Sequence, residues 1–399
     1  MMSAERPDQR CIAGAGIAAA ALACLQPGID PVFLTLLTSA GIADPADHGW
    51  IVGATQTGMA IGAVVAWRMS DRLPRSSISL AAICATLAAL ATLQAASFWA
   101  LIALRTLYGA AMGLIYTHVM AVIAAVRPTS AYGIVFLVQL ALSTLVALLL
   151  PLMAHMFSPS VAITACACVP LALMVLGQVR IADETRPPAI DRTAGPQQAT
   201  KTAWALLGAT FWFVCTTMIV WSFVGTLAIN AGIGETTIGY AVALGSVAGV
   251  VTAAIVARDR PSLPLTISGP IAGMAMLAPL FMTYPGQNAA FILSVIFLNI
   301  GSTAMVIRCS GAASAKGGTA LFRRMVAASH SLGMIAGPVI GATLAALLGP
   351  EGLASGALGT FGGACLALMA AARWTRLSPV LDSQTADESR PLRDAPWGA

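Results

Sequence analysis

Twenty of the 21 Lys and Arg residues of this chain lie in its two end segments or in every second gap between long apolar runs, and the remaining one, Arg105, lies inside a run. In a bilayer, short loops rich in Lys and Arg stay on the cytoplasmic side, so the alternation reads as a topology. The gaps holding Arg68 to Arg75, Arg127, Arg180 to Lys201, Arg258 with Arg260, and Arg308 to Arg324 are expected to be cytoplasmic. The intervening gaps, around 44–50, 94–98, 155–160, 230–237, 283–288 and 349–352, contain no Lys or Arg and are expected to face outward.

The apolar runs are long enough to carry this topology. A helix needs about 20 apolar residues to cross a bilayer, and twelve runs qualify, roughly 12–39, 50–67, 77–97, 99–125, 131–154, 160–179, 203–229, 238–257, 264–282, 289–307, 325–348 and 353–372. An even number puts both ends on one side, and Arg6, Arg10, Arg373, Arg376, Arg390 and Arg393 place that side in the cytoplasm. With 58% hydrophobic and 9% charged residues, a soluble globule is excluded. The expected class is an all-α integral membrane protein of the plasma or bacterial inner membrane. The stretch Ala21-Leu22-Ala23-Cys24 after Arg6 and Arg10 has elements of a secretory or lipoprotein signal, but the run continues to Ser39 and is read as an uncleaved first span.

The net charge of +5 is spread over separate loops, so no nucleic-acid partner is expected. All eight Cys fall within or at the cytoplasmic edge of spans, so none is placed for an external disulfide. Cys166 and Cys168 point about 200° apart on a helix, which argues against a metal pair. No cofactor is expected.

Two polar segments divide the chain: 180–202, rich in charge and proline, and the tail 377–399. The expected organisation is an N-terminal tail 1–11, a first six-helix bundle 12–179, a linker 180–202, a second six-helix bundle 203–376, and a disordered tail 377–399. The bundles resemble copies of one another. Gly58 and Gly62 match Gly245 and Gly249 at an offset of 187 residues, Pro151 matches Pro338 at the same offset, and Gly113 and Gly301 differ by 188.

Two local motifs carry a family resemblance. The stretch Trp67-Arg68-Met69-Ser70-Asp71-Arg72-Leu73-Pro74-Arg75-Ser76 resembles the G-x-x-x-D-R-x-G-R-R loop of the major facilitator superfamily, without its glycines and its last Arg. A reduced copy, Arg258-Asp259-Arg260-Pro261, follows the eighth run. Arg105-Thr106-Leu107-Tyr108-Gly109 resembles that family's R-x-x-x-G pattern of span 4. Its G-x-x-x-G-P-x-x-G pattern, associated with antiporters when in span 5, is found instead in span 11 as Gly333 to Gly341, with Gly337 and Pro338 at its centre.

The resemblance implies two pseudo-symmetric six-helix bundles and a secondary transporter that binds a small molecule between them near the midplane. It also implies that Asp71, Arg72, Arg75, Asp259, Arg260, Gly333, Gly337 and Pro338 serve gating. The partners implied are a small-molecule substrate, protons and the lipid bilayer, with the chain acting as a monomer. No protease or metal motif and no P-loop is found, so an enzyme and ATP-driven transport are not expected. A non-transporting receptor or scaffold is the alternative.

Intramembrane charges are costly and face a partner or a water-filled path. Asp30, flanked by Pro27-Gly28 and Pro31, is the only carboxylate inside a run, and Arg105 lies at a similar depth. Asp30 is expected to carry a proton while Arg105 holds an anionic substrate group or tunes the carboxylate, the alternative being a static salt bridge. Tyr108, Gly109, Met112 and Tyr116 lie within about 60° of Arg105 on a helical wheel. The offset maps Asp30 to Thr217 and Arg105 to Ile292, so the charged groups belong to the first half. Gln56, Gln139, Trp212, Trp221 and Asn299 are further candidates for the cavity wall, and His330 for titration near neutral pH. The substrate class expected is an organic anion or an amphipathic compound.

Overall fold

The computed structural model describes residues 7–44, 47–69, 76–125, 127–178, 199–260 and 263–377. Among these residues the regular structure is helical, fourteen α-helices and a short 3-10 helix at Thr92–Gln94. The first bundle contains α1 (Pro7–Ala23), α2 (Gln26–Ser39), α3 (His48–Arg68), α4 (Ser77–Ala91), α5 (Phe98–Ile123), α6 (Pro128–Met156), α7 (Pro159–Ala165) and α8 (Cys168–Gln178). The second contains α9 (Lys201–Asn230), α10 (Glu235–Ala257), α11 (Leu265–Met282), α12 (Asn288–Gly317), α13 (Ala320–Leu348) and α14 (Pro350–Leu377).

Eleven of the expected runs form candidate spans, and the twelfth is the pair α1 and α2, bent by 43°. That break departs from the single first helix read from the sequence. Its position follows from Pro27 at the start of α2, where a missing N–H and a fixed φ suit a helix beginning and not a helix interior. The residues expected as an N-terminal tail are already helical from Pro7. Most of the expected linker and the expected C-terminal tail lie outside the described residues.

The outside of the bundle is apolar, with Leu87, Leu148, Val175, Ile255, Ile271 and Leu366 exposed, while Gln26, Asp30, Gln56, Arg105 and His330 are buried. This inversion suits a hydrocarbon solvent, where each helix satisfies its own backbone.

Small residues set the closest helix contacts. On α3 and α5, a Cβ at Gly58 would meet Thr106 O, one at Gly62 would meet Ala110 O, one at Gly109 would meet Thr55 O, and one at Gly113 would meet Met59 O. The two backbones touch along both glycine pairs, so neither helix tolerates a side chain there. The second bundle reuses the position differently: Gly245 makes room for the Asn299 amide and Val295, and Gly249 for Leu140 and Thr303. Gly301 packs on Ala272 of α11, whereas Gly113 packs on α3. The pairing of Gly113 with Gly301 read from the sequence therefore has no counterpart in packing.

Because spans alternate in direction, the start of α1 and the end of α14 lie at one end of the bundle, here the terminal end. There the halves are fused. One apolar cluster includes Ile115, Val119 and Tyr132 of the first half with Ile307, Phe322 and Val326 of the second. Gly133 of α6 abuts Ala257 of α10, and Gly311 of α12 abuts Thr129 of α6. Arg323 Nε donates to Ala121 O at 2.8 Å, at the C-terminal turn of α5, where free carbonyls attract a cation. Toward the opposite end the core separates into one cluster wholly of the first half, around Ile29, Phe33, Leu101 and Ile163, and one wholly of the second, around Val224, Phe291 and Val295.

Candidate functional site

A cavity of about 210 Å³ lies between the halves at mid-depth. Pro27, Gly28 and Pro31 of α2 form part of its wall, with Gln139 and Ser143 of α6, Trp221 of α9, Ser246 of α10, and Asn299 and Thr303 of α12. Tyr116 and His330 form its floor. Tyr116 Oη and His330 Nδ1 are 3.1 Å apart, a hydrogen bond from one half to the other. On its other side His330 Nε2 lies 2.7 Å from Ser310 Oγ. The rings of Tyr116, Tyr132 and Phe136, all from the first half, surround the imidazole with centroids 6.2, 5.5 and 6.0 Å away.

Of the expected site residues, Tyr116, Thr217, Asn299 and His330 line this cavity, as do Gln139 and Trp221. Asp30, Arg105, Tyr108 and Met112 are buried but do not. The two charges belong to a separate polar cluster inside the first half, behind the α2 wall. Gln26 Nε2 donates to Asp30 Oδ1 at 2.7 Å, and Gln56 also contributes a side-chain hydrogen bond. Arg105 Nε donates to Thr55 Oγ1 at 3.2 Å. Its guanidinium lies over the rings of Phe33 and Tyr108, 4.5 and 4.6 Å from their centroids, an arrangement favourable to a cation. Asp30 and Arg105 sense each other electrostatically but form no direct ion pair, and Arg105 Nη2 and Gln56 Oε1 have no hydrogen-bond partner.

On α2 the cavity-facing Pro27, Gly28 and Pro31 share one side, and Asp30 lies roughly 100° around the helix. The carboxyl and part of the cavity wall are thus carried by the same helix. Gln26 was legible in the sequence by its i, i+4 spacing from Asp30. Ser310, Tyr132 and Phe136 had no local signal, because they meet His330 only across the halves.

Gly333 and Gly337 face α9: a Cβ at Gly333 would stand 2.8 Å from Val214 Cγ1, and one at Gly337 would stand 2.7 Å from Cys215 O. Pro338 lies inside α13. Asp259, at φ +50°, and Arg260 are exposed, with no side-chain partner among the described residues. Asp71, Arg72 and Arg75 lie outside the described residues. Trp212 packs against Gly363 of α14, away from the cavity. Among the described residues no group of three His, Cys, Asp or Glu is placed to hold a metal ion.

The sequence pattern of the Major Facilitator Superfamily matches residues 11–321. The chain belongs to that superfamily. Solved structures agree on the fold. The human organic anion transporter MFSD10 (TETRAN) aligns with a TM-score of 0.65 at 15% identity, covering 91% of this chain and 100% of that one. The superfamily transporter FucP in its outward conformation aligns at 0.63 and 15%, covering 90% and 98%. A bacterial homologue of the iron transporter ferroportin, in an outward-facing state with soaked iron, aligns at 0.66 and 12%, covering 93% and 100%. No curated protein matches significantly in sequence. As a superfamily member the chain is a multi-pass membrane protein.

Proposed function

We propose that this chain is a secondary active transporter of the plasma membrane that moves a small organic solute by alternating access around the cavity between its halves. The observation that carries this reading is the asymmetry of the inter-half packing. The halves share one core at the terminal end and have separate cores at the opposite end, so a mid-depth cavity is sealed on one side only. The Lys and Arg distribution makes the terminal end cytoplasmic, and on that orientation the conformation is outward-facing. Both termini are then cytoplasmic, and the bundles α1–α8 and α9–α14 are the bodies that rock against each other.

Coupling to protons is assigned to Asp30. Its carboxyl is held by neutral amide groups, with Arg105 close but unpaired with it, a setting that accommodates both protonation states. A change of charge there acts on α2, the broken helix whose other side is cavity wall. Gating by Gly333, Gly337 and Pro338 follows from the seat of α13 on α9, and Arg323 is a further gating residue.

The test is counterflow in proteoliposomes holding purified protein, with a panel of amphipathic compounds, organic acids and sugars, with and without a pH gradient. Saturable exchange of one class, accelerated by the gradient, supports the reading. Exchange of none, by protein that is folded and correctly inserted, overturns it.

A further inference from the structure

Among the described residues the cavity wall contains no Asp, Glu, Lys or Arg. Its polar groups are oriented by bonds whose direction can be worked out. Ser143 Oγ donates to Gln139 O at 2.8 Å, Thr217 Oγ1 to Phe213 O at 2.9 Å, Ser246 Oγ to Val242 O at 2.9 Å, and Ser302 Oγ to Asn299 O at 3.3 Å. A hydroxyl has one proton, so these four present only lone pairs to anything else. Ser143 Oγ has already given its proton away, so it must accept from Gln139 at 3.0 Å, which fixes the Gln139 nitrogen on that side and leaves Oε1 free. Asn299 Nδ2 donates to Val295 O at 2.9 Å, an acceptor only, which fixes that amide the same way and leaves Oδ1 free. Gly245 admits this position, since a Cβ there would stand 2.6 Å from Asn299 Nδ2. Among the described residues Thr303 and Ser331 keep uncommitted hydroxyls in the wall and Trp221 its indole N–H, while the direction of the Tyr116–His330 bond is set by the imidazole tautomer. The rest is apolar or aromatic, with Tyr116, Phe136 and Trp221 prominent.

We infer that the cavity is a binding site for an uncharged, mostly apolar compound that offers one or two hydrogen-bond donors, such as an aromatic alcohol or amide. The donors are received by Gln139 Oε1 and Asn299 Oδ1, and organic anions are excluded. No Lys or Arg in the wall compensates an anion, and no Asp or Glu compensates a cation. A charge of either sign would be desolvated without a partner. The volume of about 210 Å³ suits a compact ring system. Arg105, the residue that suggested an anion in the sequence, belongs to the cluster behind α2 and does not line this cavity. This inference rests on the transporter reading for its use of the cavity, but not for the binding itself.

The experiment measures calorimetric binding to purified protein of four probes on one scaffold: 1-naphthylmethanol, its methyl ether, 1-naphthoate and 1-naphthyltrimethylammonium. The alcohol should bind about ten times more tightly than the ether, which lacks the donor. It should bind at least about 100-fold more tightly than either ion. In the doubly substituted protein Gln139→Leu with Asn299→Leu, the alcohol-to-ether ratio should fall to about one while the protein keeps its thermal transition. Equal or tighter binding of the carboxylate or the ammonium probe overturns the assignment. So does an alcohol-to-ether ratio unchanged by the double substitution, and so does binding of none of the four. Counterflow with the same probes separates the two readings. Selective binding without exchange defeats the transporter reading alone, whereas exchange with inverted selectivity defeats the assignment alone.

Discussion

Replacing Arg323 by Ala deletes a hydrogen bond that exists only while the terminal-end seal is closed. Arg323 Nε donates to Ala121 O at 2.8 Å, and Nη1 holds Gly318 O of its own half at 3.2 Å. A hydrogen bond from a charged donor contributes about 1.5–3 kcal/mol, and the half-buried position of Arg323 calls for a discount, to about 1–2 kcal/mol. The ratio of opened to closed terminal end should therefore rise roughly 5- to 30-fold. Spin labels at Arg127 and Arg258, exposed positions on opposite halves at this end, report the ratio in a Cys-free background as long against short distances. Arg323→Ala should enlarge the long-distance population, and high salt should change it little because the contact is partly shielded. A ratio altered less than twofold, in protein with an unchanged thermal transition, would refute the assignment of Arg323 to the seal.

Asp30→Asn should abolish accumulation driven by a pH gradient while leaving substrate counterflow above half of wild type, since exchange needs no net proton transfer; wild-type gradient-driven uptake would move the proton site to His330. Gly337→Leu places a side chain against Cys215 and Met218 of α9 and should destabilise by about 1–3 kcal/mol through overpacking, read as a lower melting temperature with reduced transport, and an unchanged pair of values would show that α13 does not need this seat. A single Cys at Thr193, outside the described residues, should react with an impermeant thiol reagent only from the cytoplasmic side, and labelling from outside alone would reverse the orientation and with it the outward-facing reading.

The apolar spans and the placing of Asp30 and Arg105 inside them were legible because they depend on hydropathy along one dimension. The lipid solvent imposes span length directly, and a charge inside an apolar run needs no partner to be recognised. Gly58, Gly62, Gly109 and Gly113 recur at helical spacing, a pattern of close packing, but that they face each other across α3 and α5 came from the structure. What could not be read was adjacency. Asp30 and Arg105 share a depth, and the sequence placed them together in the central cavity. Asp30 instead lies about 100° around α2 from the wall formed by Pro27, Gly28 and Pro31. The Tyr116–His330 contact, the seal by Arg323 and the outward-pointing carbonyls of Gln139 and Asn299 depend on how two bundles meet. Residues more than 200 positions apart leave no mark on each other's local pattern. The apolar spans followed from the sequence because solvent acts on each segment separately. The site was decided by tertiary structure because its geometry exists only between segments.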